Sequence, residues 1–294
     1  LLPTGGEGRR IPAGRPAGPT RHPRPPRGTR PHRNPLTVTD PLLRAGDLVQ
    51  FVDPKDRRYQ ATLTPGKEFH LHSGYVRHDD VIGVAEGSRV ETNRGQPLLV
   101  IRPTLSEFIL KMPRGAQVIY PKDIGPILML ADIGPGMRVL ESGVGSGALS
   151  MGMLRSGADI VGYELREDFA QRAVQNVERF LGPEVLERYR VELRDCYEGI
   201  DERDVDRVVL DLPEPWRVVP HAEKALRSGG LILAYTPSVT QVMQLRTALE
   251  ESRFFAAATT EVLQRGWYVE GQAVRPDHRM VAHTGFLTVA RLGT

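Results

Sequence analysis

Residues 137–140 read as a short strand and run straight into Glu141-Ser142-Gly143-Val144-Gly145-Ser146-Gly147-Ala148-Leu149-Ser150. Glycines at alternate positions let the backbone turn tightly and let a ligand approach it, and a helical pattern follows at once. Strand, glycine turn and helix in immediate succession commit the chain to a parallel βα unit, which is stable only as part of a larger sheet. The sequence supplies one. Further strands read at residues 159–163, 189–193, 206–210 and 231–235, with helical patterns between them. Phe169, Ala173, Val174, Val177, Phe180 and Leu181 recur at three and four, which predicts an amphipathic helix over 167–181. The rhythm then changes to two strands without a helix between them, 257–263 and 284–290, so the sheet is expected to close on an antiparallel strand.

The turn is specific in kind. Its spacing is G-x-G-x-G, not the G-x-G-x-x-G of dinucleotide sites, and the acid Glu141 ends the strand before it. A pyrophosphate is repelled by that carboxylate, which argues against a nicotinamide-dependent oxidoreductase; a ligand with an ammonium group is not. Glu164 ends the next strand, where a carboxylate can accept from both hydroxyls of a ribose, and Asp195 ends the third, where it can accept from an exocyclic amine with Cys196 beside the ring. Both acids also read as helix N-caps, which are common at such turns. Taken together at the C-terminal ends of consecutive strands they describe a site for an adenine nucleoside with an ammonium-bearing tail, S-adenosylmethionine (SAM). The fourth strand delivers Asp211-Leu212-Pro213-Glu214-Pro215-Trp216 to the same edge. Prolines hold that loop extended, so an acid and an aromatic ring can border a planar base, and the acid can stabilise positive charge developing on it. A Pro-rich turn around a buried Trp is the plain alternative.

Upstream, residues 47–52, 58–63 and 88–92 alternate like short strands between turns such as Thr64-Pro65-Gly66, which predicts a small β-barrel-like domain over 40–104 ahead of the α/β domain at 105–294. His70 and His72 can pair on a metal, but no third ligand is evident, and strand-borne polar residues are the preferred reading. Residues 1–35 hold eight arginines, nine prolines and a single acid, Glu7, and are expected to be disordered, either as an arm for nucleic acid or as a dispensable extension. That segment carries +7 of a chain whose net charge is +3, so residues 36–294 carry −4 and the overall basicity does not identify a nucleic-acid-binding surface. Cys196 is the single cysteine, which excludes a disulfide framework and a thiolate zinc cluster. With no run near the about 18 apolar residues of a spanning helix and no apolar leader, a cytoplasmic protein without metal or membrane attachment is expected. The chain opens on Leu1 and not on methionine, so a processed or fragmentary chain, or a literal start codon, is expected.

Gln117-Val118-Ile119-Tyr120 with Pro121-Lys122-Asp123, the glycine turn, Tyr163-Glu164, residues 210–216, Tyr235-Thr236-Pro237 with Thr240-Gln241, Arg275-Pro276, and His283-Thr284-Gly285-Phe286-Leu287 together resemble the tRNA (adenine-N1)-methyltransferase family, whose members act on adenosine 58 of the T-loop. The resemblance runs from about residue 45 to the C-terminus. It implies a class I SAM-dependent methyltransferase fold, a Rossmann-like seven-stranded sheet with an antiparallel C-terminal strand, assembled as a homotetramer and acting on tRNA. Glu141, Gly143, Gly145, Ser146, Gly147, Ala148, Leu149, Glu164, Phe169, Asp195, Cys196, Tyr197, Asp211 and Gln117 would then bind SAM, and Asp211, Tyr120 and Tyr235 would serve the base. Lys111, Arg114, Lys122, Arg265, Arg275 and Arg279 are candidate phosphate contacts, or simply solvated charges. The short linker Arg155-Ser156-Gly157-Ala158 and the arginine-rich tail depart from the family's pattern. The rival readings are a class I methyltransferase for another substrate, such as another RNA adenosine, a protein or a small molecule, and an RNA-binding module without activity.

Overall fold

A computed structural model describes residues 41–115 and 117–294; the expectation for residues 1–35 lies outside them. The N-terminal strands are β1 (Leu48–Val52), β2 (Arg58–Thr62), β3 (Glu68–Leu71), β4 (Gly74–Arg77), β5 (Arg89–Glu91) and β6 (Pro97–Ile101). They form an antiparallel four-stranded sheet in the order β2-β1-β6-β5 and a separate β3–β4 hairpin, so the ladder stays open. Val49, Phe51, Leu63, Val76, Leu98 and Val100 fill its own small core.

Helix α1 (Leu105–Lys111) starts at a capping box in which Thr104 and Glu107 satisfy each other's backbone amides, and α2 (Pro121–Leu130) starts on a proline, which has no amide to leave unpaired. The α/β rhythm then unfolds as β7 (Arg138–Ser142), α3 (Ala148–Arg155), β8 (Asp159–Glu164), α4 (Glu167–Leu181), β9 (Tyr189–Leu193), β10 (Val205–Asp211), α5 (Val219–Ala225), β11 (Leu226–Thr236), α6 (Val239–Glu250) and β12 (Phe254–Glu261). A short hairpin, β13 (Trp267–Glu270) and β14 (Ala273–Pro276), precedes β15 (Phe286–Leu292).

Among the described residues the main sheet has seven strands in the order β12-β15-β11-β10-β7-β8-β9. β7 to β11 run parallel, and β15 lies antiparallel between β11 and β12, pairing Leu231 with Arg291 through Thr236 with Phe286. From β7 the chain builds outward through β8 and β9, then returns to build through β10 and β11 on the other side. The strand order therefore reverses between β7 and β10, the position where ligands bind in open α/β sheets. One apolar core joins α1 to α4 to one face of this sheet, and a second joins α5 and α6 to the other.

Two details refine the sequence reading. β7 runs on through Ser142, so Glu141 lies within a buried strand and not at its end. The β13–β14 hairpin sits where a direct connection between the last two strands was expected.

Candidate cofactor and base site

At the reversal the three glycines take left-handed φ values of +85°, +56° and +80°. A Cβ on Gly143 would stand 2.0 Å from the carbonyl oxygen of Asp211, and one on Gly147 would press on the backbone of Ala173 at 3.2 Å, so the turn lies flush against β10 and α4. It is held from outside: the Gly145 amide donates to Glu164 Oε2 at 2.9 Å, and Asn176 Nδ2 donates at 3.0 Å both to the Ser146 carbonyl and to that of Pro113. Gln117, Glu141, Gly143, Gly145, Ser146, Ala148, Leu149 and Asp211 line one cleft there. The Ser146 hydroxyl is buried with no hydrogen-bond partner among the described residues. A wider depression of ≈ 300 Å³ lies at the opposite, N-terminal ends of the same strands, lined by Arg138, Asp159, Arg188 and Arg190 among others, away from all of these groups.

The charges are unusual. Glu141 is buried at 2% exposure and accepts from Ser150 Oγ at 2.6 Å, which in turn accepts from the Tyr189 hydroxyl at 3.1 Å. Burial, with the nearby Asp211 and Glu164 carboxylates adding to it, pushes Glu141 up to about 8 even against the Ser150 bond. Burial and Glu164 push Asp211 up to about 7, and among the described residues no group donates a hydrogen bond to its carboxylate. Three acids therefore converge with few donors between them, an arrangement completed by a positively charged ligand. Glu164 spans the turn, accepting from Gly145 and from the Arg166 amide at 3.0 Å, and Asp195 accepts from the Tyr197 amide at 2.8 Å. Neither acid is a helix N-cap, because Arg166 holds that position ahead of α4 and, among the described residues, no helix lies between β9 and β10; both acids brace turns instead, and a carboxylate with about four acceptor positions still has room for a ligand's donors.

Outside the residues that line this cleft, Cys196 is buried and its thiol is raised by that burial, while Tyr197 accepts from the Glu214 amide at 3.0 Å and carries Arg217 over its ring. Phe169 is covered by the Arg166 guanidinium, 3.8 Å from its centroid. Gln241 Nε2 donates to the Pro213 carbonyl at 2.8 Å, tying α6 to the loop that follows Asp211. Tyr235 is the ladder partner of Asp211 on β11 and is half-buried, and its hydroxyl donates to the Thr284 carbonyl at 2.5 Å. Tyr120, also half-buried, is the cap residue just ahead of α2.

One candidate phosphate contact is corrected. The Lys122 side chain is 7% exposed and its ammonium is fully engaged with Asp123, Val262 and Thr284, so it does not face a polyanion. Lys111, Arg114, Arg265, Arg275 and Arg279 are exposed. His70 and His72 have other partners, Glu68 at 3.3 Å and Arg57 at 2.8 Å. Among the described residues no three His, Cys, Asp or Glu side chains cluster as a metal would require.

The family description "tRNA methyltransferase complex GCD14 subunit" matches residues 98–275, more than half of the chain, and "TrmI-like N-terminal" matches residues 42–90. The chain belongs to the GCD14 family of tRNA methyltransferases. It is 37% identical over 243 residues to the tRNA (adenine(58)-N(1))-methyltransferase TrmI of Thermus thermophilus, covering 81% of this chain and 94% of that protein. It is 33% identical over 268 residues to the tRNA (adenine(57)-N(1)/adenine(58)-N(1))-methyltransferase TrmI of Methanocaldococcus jannaschii, covering 82% and 94%. Two solved structures share the architecture. A SAM-dependent O-methyltransferase from Thermotoga maritima superposes with a TM-score of 0.81 at 32% identity over 88% of this chain and 98% of that one. The tRNA (m1A58) methyltransferase TrmI of Aquifex aeolicus gives 0.74 at 28% identity over 86% and 99%.

Membership in the GCD14 family places the glycine turn, Glu164 and Asp211 within the matched region. Ser150, Tyr189 and Asn176 escaped the sequence reading. Asn176 had left a signal, because it falls on the apolar stripe of α4 between Ala173 and Val177 and is buried there. The other two are ordinary residues whose meaning is visible only once α3 and β9 bring them under Glu141.

Proposed function

We propose that this chain methylates N1 of adenine in tRNA, at position 58 of the T-loop, with SAM as donor. The site suits that cofactor: the Gly143 backbone leaves no room for a side chain, the Ser146 hydroxyl lacks a partner among the described residues, and Glu141 lies on the strand just ahead of the turn. When bound, SAM supplies a methyl group already activated by its sulfonium. Ser146, Glu164 and Asp195 would hold it, Phe169, Cys196 and Tyr197 would border its adenosine part, and Gln117 would face it from the opposite wall.

The observation that carries the choice of acceptor is Asp211, a carboxylate without a donor among the described residues, on the strand beside the glycine turn and opposite Tyr235 in the ladder. A neutral adenine has a free lone pair on N1 and needs to lose no proton there. Asp211 then accepts from the base's amino group and offsets the positive charge that alkylation puts on the ring. Because N1 is engaged in folded tRNA, the base must leave its stack, and Tyr120 and Tyr235 would receive it. Positioning and charge carry the rate.

A second reading has a specific basis. A carboxylate held at about 7 also suits removal of a proton from a hydroxyl, and one similarly folded chain is named an O-methyltransferase. Digestion of the modified RNA separates the two, because N1-methyladenine and a methylated hydroxyl differ. The role of Asp211 is tested by Asp211→Ala. Turnover should fall by about 100-fold or more while SAM binding, followed by calorimetry, is retained; near-normal turnover contradicts the assignment.

The homotetramer implied by the family resemblance belongs to the same proposal. Exposed Trp267, Val269 and Val274 on the β13–β14 hairpin support it, and light scattering reads it. So does a cytoplasmic location; among the described residues no helix is long and apolar enough to cross a membrane.

A further inference from the structure

The first turn of α2 meets the end of the β12–β15 ladder, at the residue after β12 and the approach to β15, in a buried ion pair behind the base pocket. The Asp123 side chain is fully buried and that of Lys122 nearly so. All three ammonium hydrogens are used, on Asp123 Oδ1 at 2.8 Å, the Val262 carbonyl at 2.7 Å and Thr284 Oγ1 at 2.6 Å. Thr284 Oγ1 donates onward to Asp123 Oδ2 at 2.7 Å, so both carboxylate oxygens are engaged as well. Burying two charges is costly and gives little stability, but a fully satisfied buried network admits a single arrangement of the segments it joins.

What it arranges is the pocket's aromatic wall. The Thr284 carbonyl takes the Tyr235 hydroxyl bond, and the next residue, Gly285, lies so close that a Cβ would come within 2.4 Å of the Tyr235 ring. On the other side Tyr120 directly precedes Pro121, where α2 and the ion pair begin. None of the three polar groups belongs to the cleft that holds the glycine turn.

We infer that Lys122, Asp123 and Thr284 are positioning residues that fix Tyr235 and Tyr120 beside Asp211 and so govern use of the base, not binding of SAM. The inference rests on the reading of Tyr235 as a border of the base pocket. It gives a role to the contact between the Pro121-Lys122-Asp123 and His283-Thr284-Gly285 segments, in which Asp123 and Thr284 are 161 residues apart.

The test uses Thr284→Val, Thr284→Ser, Tyr235→Phe, Tyr235→Ala and the Thr284→Val/Tyr235→Phe double variant. kcat and KM for tRNA are expressed per SAM-binding site titrated by calorimetry, so unfolded protein is not counted. Thr284→Val should lose about tenfold or more in kcat/KM for tRNA with the Kd for SAM within about twofold, and Thr284→Ser should restore most of the loss. In the Tyr235→Phe background the same change should cost little, because the bond through which it acts is already gone. Unchanged kcat/KM in Thr284→Val, additive losses in the double variant, or equal failure of the Ser and Val variants would each overturn the inference. Should Thr284→Val yield no SAM-binding protein, Asp123→Asn keeps the shape while removing the charge and is read against the same criteria. A Tyr235→Ala variant with normal kcat/KM for tRNA would instead remove the pocket reading itself, whereas loss there with normal Thr284→Val removes the inference alone.

Discussion

At buried Glu141 and half-buried Asp211 other acids are close, and both carboxyls are pushed up into the neutral range, to about 8 and about 7. Both values lie above those of the unfolded chain, so between about pH 4 and those values the folded protein binds the extra protons. The stability they contribute is fully present at low pH and is lost as pH rises through 7 and 8. A bound cation reverses the preference, favouring the ionised acids and expelling their protons. SAM affinity should therefore rise from pH 6 to 8 with proton release visible as a buffer-dependent heat, and Glu141→Gln should flatten that rise; affinity that is constant or falls over this range contradicts the electrostatic account. The acids themselves were legible because each ends or nearly ends a strand, where the glycine turn announces an edge with a ligand. Their supports were not. Ser150 and Tyr189 are separated by 39 residues, as Asn176 and the Ser146 carbonyl are by 30 and Thr284 and Asp123 by 161, and no local pattern encodes such pairings.

Among elements, the glycine turn between β7 and α3 is the tightest constraint, and its glycines are not equivalent. Gly143 combines a φ of +85° with a Cβ position 2.0 Å from a backbone oxygen, while Gly145 has a φ of +56° and open space. Gly145→Ala should cost about 1 kcal/mol for the left-handed backbone alone. Gly143→Ala should cost more than about 2 kcal/mol, because β10 must also move and carry Asp211 with it. Denaturant unfolding of the two variants reads the difference, and equal losses would show that the close approach is not a real constraint. Helix α4 was legible to the residue, Glu167–Leu181, because a strongly amphipathic face meets acids at its start and Gly182 at its end. The β13–β14 hairpin was not, since Trp267 to Glu270 are exposed on both faces and leave no inside–outside alternation to read.

For the whole molecule, the strand–helix rhythm was enough to anticipate a parallel sheet ending in an antiparallel strand, because a parallel sheet has few ways to be covered. Charge was harder to read. The family matches begin at residue 42, outside the arginine-rich segment that makes the chain basic, and the rest carries −4. Arg114, Arg265, Arg275 and Arg279 are exposed and remain candidates for contact with a polyanion, whereas Lys122 is buried in its ion pair with Asp123. All of this converges on methyl transfer to one ring nitrogen of one base in tRNA. The direct measurement is to incubate the protein and SAM with unmodified tRNA transcripts and locate the added methyl by base-resolved mass analysis. N1-methyladenine at position 58 is the predicted product; a methyl on a ribose or base oxygen, or none on adenine, contradicts the account.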